Sequence, residues 1–376
     1  MEIYERKIIM GNIEKLNKFE AICLILVIIT NQIILNLPNS ILVSTGSSSP
    51  LNTIYISLIA MIFTFIVCKL FKRFIDKDLL DISHFLGGKF LKTIIGILYI
   101  IFFTFITSIL LRYFSETLKS IYFKDAPIIF ILLVFLVPPV IINKFGLNVI
   151  SKVILFFVPT LLISLLFLIY TTASSFDTSQ IFPVLGYGVN ETFFAGLSNI
   201  FAFGGLAYIY FLKPLLKSPN EFKKISIISI GISSLFLFLS VTSLLMVLPF
   251  IVSTDETLSI YLLTKTVELG RFLQRIDAIF IFFWIFATLC YTSVNIFYIL
   301  NIFKKTANIQ NPKAITYALS SIILSASLLP KDIAEVKFLE AIIYKYSTII
   351  LVFGISFFIL LFANIKYKRK GRATNE

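Results

Sequence analysis

Charge is scarce in this chain. Only 14% of its 376 residues are Asp, Glu, Lys or Arg, against 58% hydrophobic, and the mean hydropathy is +0.96. A soluble globular domain of ordinary composition does not look like this, so the sequence reads as a polytopic helical membrane protein. Histidine is scarcer still. His84 is the only one, and the three cysteines, Cys23, Cys68 and Cys290, sit in apolar runs without CxxC spacing. A lone His with no thiol beside it makes no ordinary metal site, so neither metal nor cofactor is implied. The thiols read as small buried hydrophobes. HExxH, GxSxG and an acidic pair in neighbouring apolar segments are all missing, which argues against an intramembrane enzyme. The first residues mix charges and lack a small-residue cleavage site, so no cleaved signal peptide is expected.

What charge there is lies unevenly. Ten apolar segments can be drawn, at about 19–43, 51–70, 93–120, 127–143, 150–170, 195–215, 224–250, 277–303, 313–329 and 340–363. Most of the 33 Lys and Arg fall in every second connection, among them Lys69, Lys72, Arg73, Lys213, Lys223, Lys304 and Lys305, and in the tail from Lys366 to Arg372. This bias predicts that both termini are cytoplasmic. It also accounts for the net charge of +13 without nucleic acid. The basic tail reads as an anchor to anionic lipid. The chain then divides into a cytoplasmic segment 1–18, a first five-helix repeat 19–170, an extracytoplasmic loop 171–194, a second five-helix repeat 195–363 and a basic tail 364–376. Between the second and third segments, residues 71–90 alternate apolar and charged positions, as suits a helix lying on the membrane surface.

The first apolar segment contains Thr30–Ser40, TNQIILNLPNS. Asn31, Gln32 and Asn36 are residues a lipid-facing helix avoids, and Pro38 lacks an N–H and clashes with the carbonyl four residues back. The hydrogen-bond ladder therefore opens around Ile34–Leu35, and backbone groups freed at membrane depth must face protein or a polar cavity. A second weak point is Gly204–Gly205 in the sixth segment, with Pro214 following. The two breaks take corresponding places in two halves with an odd number of segments each, so the halves run in opposite directions through the membrane. Two inverted five-helix repeats with broken lead helices make a LeuT-like transporter architecture of about ten transmembrane helices. The alternative at Gly204–Gly205 is close helix packing.

A pocket between the breaks would be built from Asn31, Asn36 and Leu37 on one side and Phe203, Gly204 and Gly205 on the other. Open half-helix ends would offer N–H groups to a carboxylate. Few buried carboxylates are in view, so strong proton coupling is not expected. Arg112 and Glu116, spaced i,i+4, make an ion pair or a gate. The GYG at Gly186–Gly188 lacks the pore-helix context of a potassium filter.

At the eighth segment the sequence becomes specific. Gln274-Arg275-Ile276-Asp277-Ala278-Ile279-Phe280 with Trp284 resembles the Arg-x-acidic-x-x-Phe…Trp signature of the spore germinant receptor B-subunit family, the endospore germination permeases of the amino acid–polyamine–organocation superfamily. Leu35–Pro38 resembles its first-helix Leu-x-Leu-Pro, Pro183–Gly188 its Pro-x-x-Gly-x-Gly loop, and Gly204–Gly205 with Leu215–Pro219 its sixth-helix glycine and the turn after it. The resemblance runs from about Lys15 to Lys366. It implies an integral subunit of a receptor in the inner membrane of dormant spores, sensing small nutrients, often amino acids, beside a larger A subunit and a lipoprotein C subunit. Asn31, Ile33, Leu206 and Ile54 depart from the small, acidic and aromatic residues common at those places. Arg275 and Asp277 would clamp the outer end of the eighth helix or touch the ligand. The alternative to a receptor is an amino-acid or small-solute permease using the same cleft.

Overall fold

The computed structural model describes residues 15–34, 36–247, 263, 276–309 and 315–373. Among them, six helices are long and apolar enough to cross a membrane, and a pair bent by 44° makes a seventh span. Ile128–Lys144 and Ile315–Ser327 are shorter apolar helices.

The first apolar segment is two helices. Helix α1 (Lys18–Ile34) stops short of Leu35, which lies outside the described residues, and α2 (Leu37–Thr45) starts with Asn36 at its N-cap and Pro38 in its first turn. Proline is tolerated there because the N–H it lacks is one the helix start leaves unbonded anyway. Gly46, at φ 65°, turns the chain into α3 (Ser49–Phe71).

Residues 72–77 are turns, not surface helix, and the helical part of that stretch begins at Leu79. Asp78 and Asp81 form a reciprocal capping box that starts α4 (Leu79–Ile121). Non-helical backbone at Gly87 and Gly88, the latter at φ 68°, separates a short leading turn from the apolar run. The predicted surface helix is thus confined to 79–86. His84 there is exposed.

Helices α5 (Ile128–Lys144) and α6 (Leu147–Thr172) complete the first half. The second half opens with a π-helical turn at Asn190–Phe194, a tight 3-10 stretch Ala195–Phe203, the Gly204–Gly205 step and α7 (Leu206–Leu212). Then follow α8 (Phe222–Val247), α9 (Ile276–Ala307), α10 (Ile315–Ser327) and α11 (Ile333–Leu339). After α11 come a π turn Glu340–Tyr344, α12 (Lys345–Thr348), a second π stretch Ile349–Ile355 and α13 (Ser356–Ala373).

Helices α1 and α9 sit centrally, α1 against α6 and α8, α9 against α4, α5 and α6. Helix α1 is buried from Glu20 to Ile34, which explains how it carries Asn31 and Gln32 without exposing them to lipid. Large apolar side chains left exposed on the outer helices, such as Leu58, Ile62, Phe156 and Ile163, suit a lipid-facing surface.

Polar side chains close both ends. At one end the loop Pro183–Gly188 lies over the turn between α2 and α3: Ser47 Oγ donates to the Pro183 carbonyl (2.6 Å), Thr192 Oγ1 to Ser48 Oγ (2.8 Å) and Asn199 Nδ2 to Ser44 Oγ (2.8 Å). At the other, Leu16 pairs in parallel with Leu216, through Leu16 N to Leu215 O (2.7 Å) and Lys217 N to Leu16 O (3.0 Å). Lys213 Nζ donates to the carbonyls of Phe71 and Phe74, both at 2.7 Å, and Lys305 bridges Asp78 and Asp81 at 2.5 and 3.1 Å. The Lys366 ammonium caps the carbonyls of Phe85 (3.0 Å) and Leu86 (2.8 Å), just before the glycine break.

Candidate functional site

The second break packs against the first helix and the tenth segment. A Cβ placed on Gly205 would lie 2.6 Å from Ile29 Cγ1 of α1, and one on Gly204 would lie 2.6 Å from Tyr344 Oη. The glycines therefore do both things weighed from the sequence. They sit where the helix bends, and they let the sixth segment approach α1 and the tenth at a separation no side chain allows.

Beside this contact is a small cavity of about 20 Å³. Its polar lining is Gln32 from α1, Tyr113 from α4, Tyr291 from α9, and Glu340 and Tyr344 from the π turn. Ile106, Ile109 and Leu110 of α4 form the apolar wall. Gln32 Nε2 donates to Tyr344 Oη at 2.5 Å. Asn36 Nδ2 donates to Glu340 Oε2 at 3.2 Å and to Ser40 Oγ at 3.3 Å. The first-helix break is thereby tied to the only carboxylate lining the cavity. The π turn is what brings Glu340 and Tyr344 together here; such wider turns are frequent at functional sites.

Around the cavity several buried polar atoms have no partner among the described residues: Asn31 Nδ2, Gln32 Oε1, Asn36 Oδ1 and Tyr291 Oη. Buried polar atoms of this kind are satisfied in native proteins by protein, water or ligand, and Tyr291 stands close to Gln32, Tyr208 and Asn295. On the α9 side, Thr288 Oγ1 donates to Asn31 Oδ1 (3.3 Å), Tyr208 Oη to Asn295 Oδ1, and Asn295 Nδ2 to the Tyr291 carbonyl (3.0 Å).

None of the six residues predicted to bind ligand lines this cavity. Asn36 reaches it through Glu340, Gly204 abuts Tyr344, and Asn31 is wholly buried against Thr288. Gly205 faces Ile29, while Leu37 and Phe203 are buried in the apolar core. Glu340 is one carboxylate among the few expected, and it lines the cavity although it was not among the predicted pocket residues. It stands first in the tenth apolar segment, where its charge reads as a loop boundary. Tyr291 was legible only as one polar residue among Thr288, Thr292 and Asn295 at helical spacing in the eighth.

The gate candidates separate. Arg112 Nη2 pairs with Glu116 Oε1 at 2.8 Å and donates to Lys331 O at 3.1 Å, with Nη1 3.4 Å from Ser327 O. This buried guanidinium ties α4 to the end of α10. Trp284 is fully buried, its ring 4.4 Å edge-on from Phe114, which stacks the same way on Phe135, joining α9, α4 and α5. Arg275 and the Asp277 side chain lie outside the described residues. Among the described residues no cluster of His, Cys, Asp and Glu could hold a metal.

Solved structures share the fold. A Na+-coupled sialic acid symporter in a substrate-bound outward-open state superposes with a TM-score of 0.61 at 11% identity, over 90% of this chain and 76% of its own. Mhp1, a nucleobase-cation-symport-1 transporter, in a closed conformation with bromovinylhydantoin bound, gives 0.60 at 12%, over 90% and 78%. A manganese transporter of Eremococcus coleocola gives 0.53 at 13%, over 92% and 77%. These likenesses establish an all-helical LeuT-like transporter fold with broken first and sixth helices. In sequence, the chain is 26% identical over 251 residues to spore germination protein B2 of Bacillus subtilis (strain 168), covering 65% of this chain and 67% of that one. It is 26% identical over 203 residues to spore germination protein KB of the same organism, covering 52% of this chain and 53%, about half, of that relative. The family described as spore germination protein, the spore permeases, matches residues 15–336. With that match across most of its length, the chain belongs to the spore germination protein family of permeases.

Proposed function

We propose that this protein is the integral membrane subunit of a spore germinant receptor, holding a small nutrient such as an amino acid in the central cavity. The observation that carries the reading is the cavity itself. It lies beside the first-helix break and, among the described residues, is lined by one carboxylate and by hydroxyl and amide groups. In the conformation seen the cavity is nearly closed, with room for about one water, so a solute of amino-acid size enters as the surrounding helices part. Glu340 is placed to accept from an ammonium group, and Gln32, Tyr291 and Tyr344 to bond a carboxylate or carbonyl. The isoleucines and Leu110 would receive the apolar part.

In this reading ten spans place both termini in the cytoplasm, the membrane is the spore inner membrane, and the ligand-driven change is passed to A and C subunits. Binding would shift the pairing of Asn36 with Glu340 and so move α2 against α1 at the break. The second reading, a permease that turns over, is favoured by one feature, the resemblance in shape to transporters.

The test is a nutrient panel on spores carrying Glu340→Gln. Loss of response to one nutrient class, at normal protein level and with intact responses through other receptors, supports the proposal. An unchanged response to every nutrient would remove the cavity from sensing, and uptake by the protein alone in proteoliposomes would establish the permease instead.

A further inference from the structure

A second cavity lies at the lysine-rich end, between the end of α3 and the start of α8, far from the first-helix break in sequence and sharing no residue with the central site. Its empty volume is about 1120 Å³. Lys69, Lys72, Lys213 and Lys223 line it together with Phe65 and Phe222. The four cations differ. Lys213 is buried, committed to the carbonyls of Phe71 and Phe74, and forms the floor. Lys69, Lys72 and Lys223 are exposed, and none forms an ion pair with a described carboxylate. Lys223 Nζ rests 4.2 Å from the centroid of the Phe65 ring, a cation–π contact that holds it at the mouth of the cavity.

The apolar wall does not end at the mouth. Phe65 is 46% exposed and continues along α3 into Leu58 and Ile62, exposed by 60% and 61%. Those side chains belong to the lipid-facing surface. Three exposed lysines outside any described ion pair, at the foot of an exposed apolar stripe and with Asp76 acting only on Lys213 at the floor, match one kind of molecule, with a phosphate at one end and a hydrocarbon chain at the other.

We propose that this cavity is a binding site for an anionic phospholipid, its phosphate held by Lys69, Lys72 and Lys223 and an acyl chain lying along Phe65, Ile62 and Leu58. Basic pockets between membrane helices take such headgroups, and each lysine near the surface contributes about fivefold in affinity. The lipid would bridge α3 to α8 and so brace the two halves at the end where Lys213 already joins them.

The test compares wild type with Lys69→Gln/Lys72→Gln/Lys223→Gln, in the full chain purified in detergent. Lipid retention is read by native mass spectrometry and melting temperature with phosphatidylglycerol, phosphatidylcholine or inorganic phosphate added. Wild type is expected to retain phosphatidylglycerol over phosphatidylcholine and to melt higher with it. The triple variant is expected to lose roughly a hundredfold in retention. A charge-matched control on other exposed cations outside the basic tail, Lys89→Gln/Lys124→Gln/Lys152→Gln, should keep both effects, as should the Lys→Arg version of the site. Equal loss in the control would reduce the site to general surface charge and overturn the proposal. So would equal retention of the two lipids by wild type, a readout that needs no variant to fold. Protection by inorganic phosphate equal to that by phosphatidylglycerol would reassign the site to a soluble anion.

Discussion

Gly204→Ala adds one methyl group, and the structure gives that methyl no room. Its Cβ would stand 2.6 Å from Tyr344 Oη, 3.1 Å from the Phe201 carbonyl and 3.3 Å from Thr348 Cγ2. The backbone at Gly204, φ −54° and ψ −22°, is ordinary right-handed helix, so alanine is not strained by conformation. Taken alone the change should stabilise a helix by about 0.5–1 kcal/mol. Against this, overpacking a tight contact costs about 1–3 kcal/mol. Moving the Tyr344 hydroxyl also breaks its bond from Gln32, a further cost of about 1 kcal/mol. The balance is a net loss of about 1–3 kcal/mol, several degrees in melting temperature. The assay is thermal unfolding of the purified protein in detergent, run as a double-mutant cycle with Tyr344→Phe. Removing the hydroxyl removes the clash, so the double variant should recover about 1 kcal/mol relative to the sum of the singles. Gly204→Ala as stable as wild type, or a penalty untouched by Tyr344→Phe, would refute the contact and the cavity geometry built on it.

Gly205→Ala meets Ile29 and not Tyr344; its penalty should be relieved by Ile29→Ala and unaffected by Tyr344→Phe in the same melting assay. Arg112→Met leaves Glu116 without its cation and the Ser327 and Lys331 carbonyls without their donor, and should cost about 3 kcal/mol in denaturation, with Glu116→Gln costing clearly less. Lys213→Met takes the donor from the Phe74 carbonyl and one of two from the Phe71 carbonyl, which keeps the Phe74 N–H, and should lower stability by about 1–2 kcal/mol; a melting temperature equal to wild type would mean the latch contributes nothing. Trp284→Ala empties a fully buried site against Phe114 and should cost about 3–5 kcal/mol, with Trp284→Phe recovering much of it.

The candidate site was only half legible in the sequence. The first break could be placed because Pro38 acts locally. It removes a donor and blocks a carbonyl four residues away whatever the surroundings, and α1 ends at Ile34. Gly204–Gly205 was visible as a weak point but not as a contact, since the reason for the glycines is the approach of Ile29 to Gly205, 176 residues away, and of Tyr344 to Gly204, 140 residues away. Glu340 was missed for a related reason. A carboxylate at the edge of an apolar run looks like solvated loop until a π turn swings it onto Asn36. Arg112 and Glu116 were found as a pair because i,i+4 spacing on a helix decides their distance, yet the carbonyls of Ser327 and Lys331, which fix the guanidinium in place, belong to another segment altogether.

Composition, hydropathy and the spacing of prolines and glycines thus determined that the chain is a helical membrane protein with two interrupted helices. Each of those properties is set within a few turns of backbone and by the cost of unpaired groups in lipid. The short motifs in order carried its family. Only the tertiary structure decided which polar groups face one another. The cavity draws its polar lining, Gln32, Tyr113, Tyr291, Glu340 and Tyr344, from four helical segments that come together through packing between helices far apart in the chain. Periodicity tells a residue which face of its own helix it occupies, and nothing about which other helix that face meets.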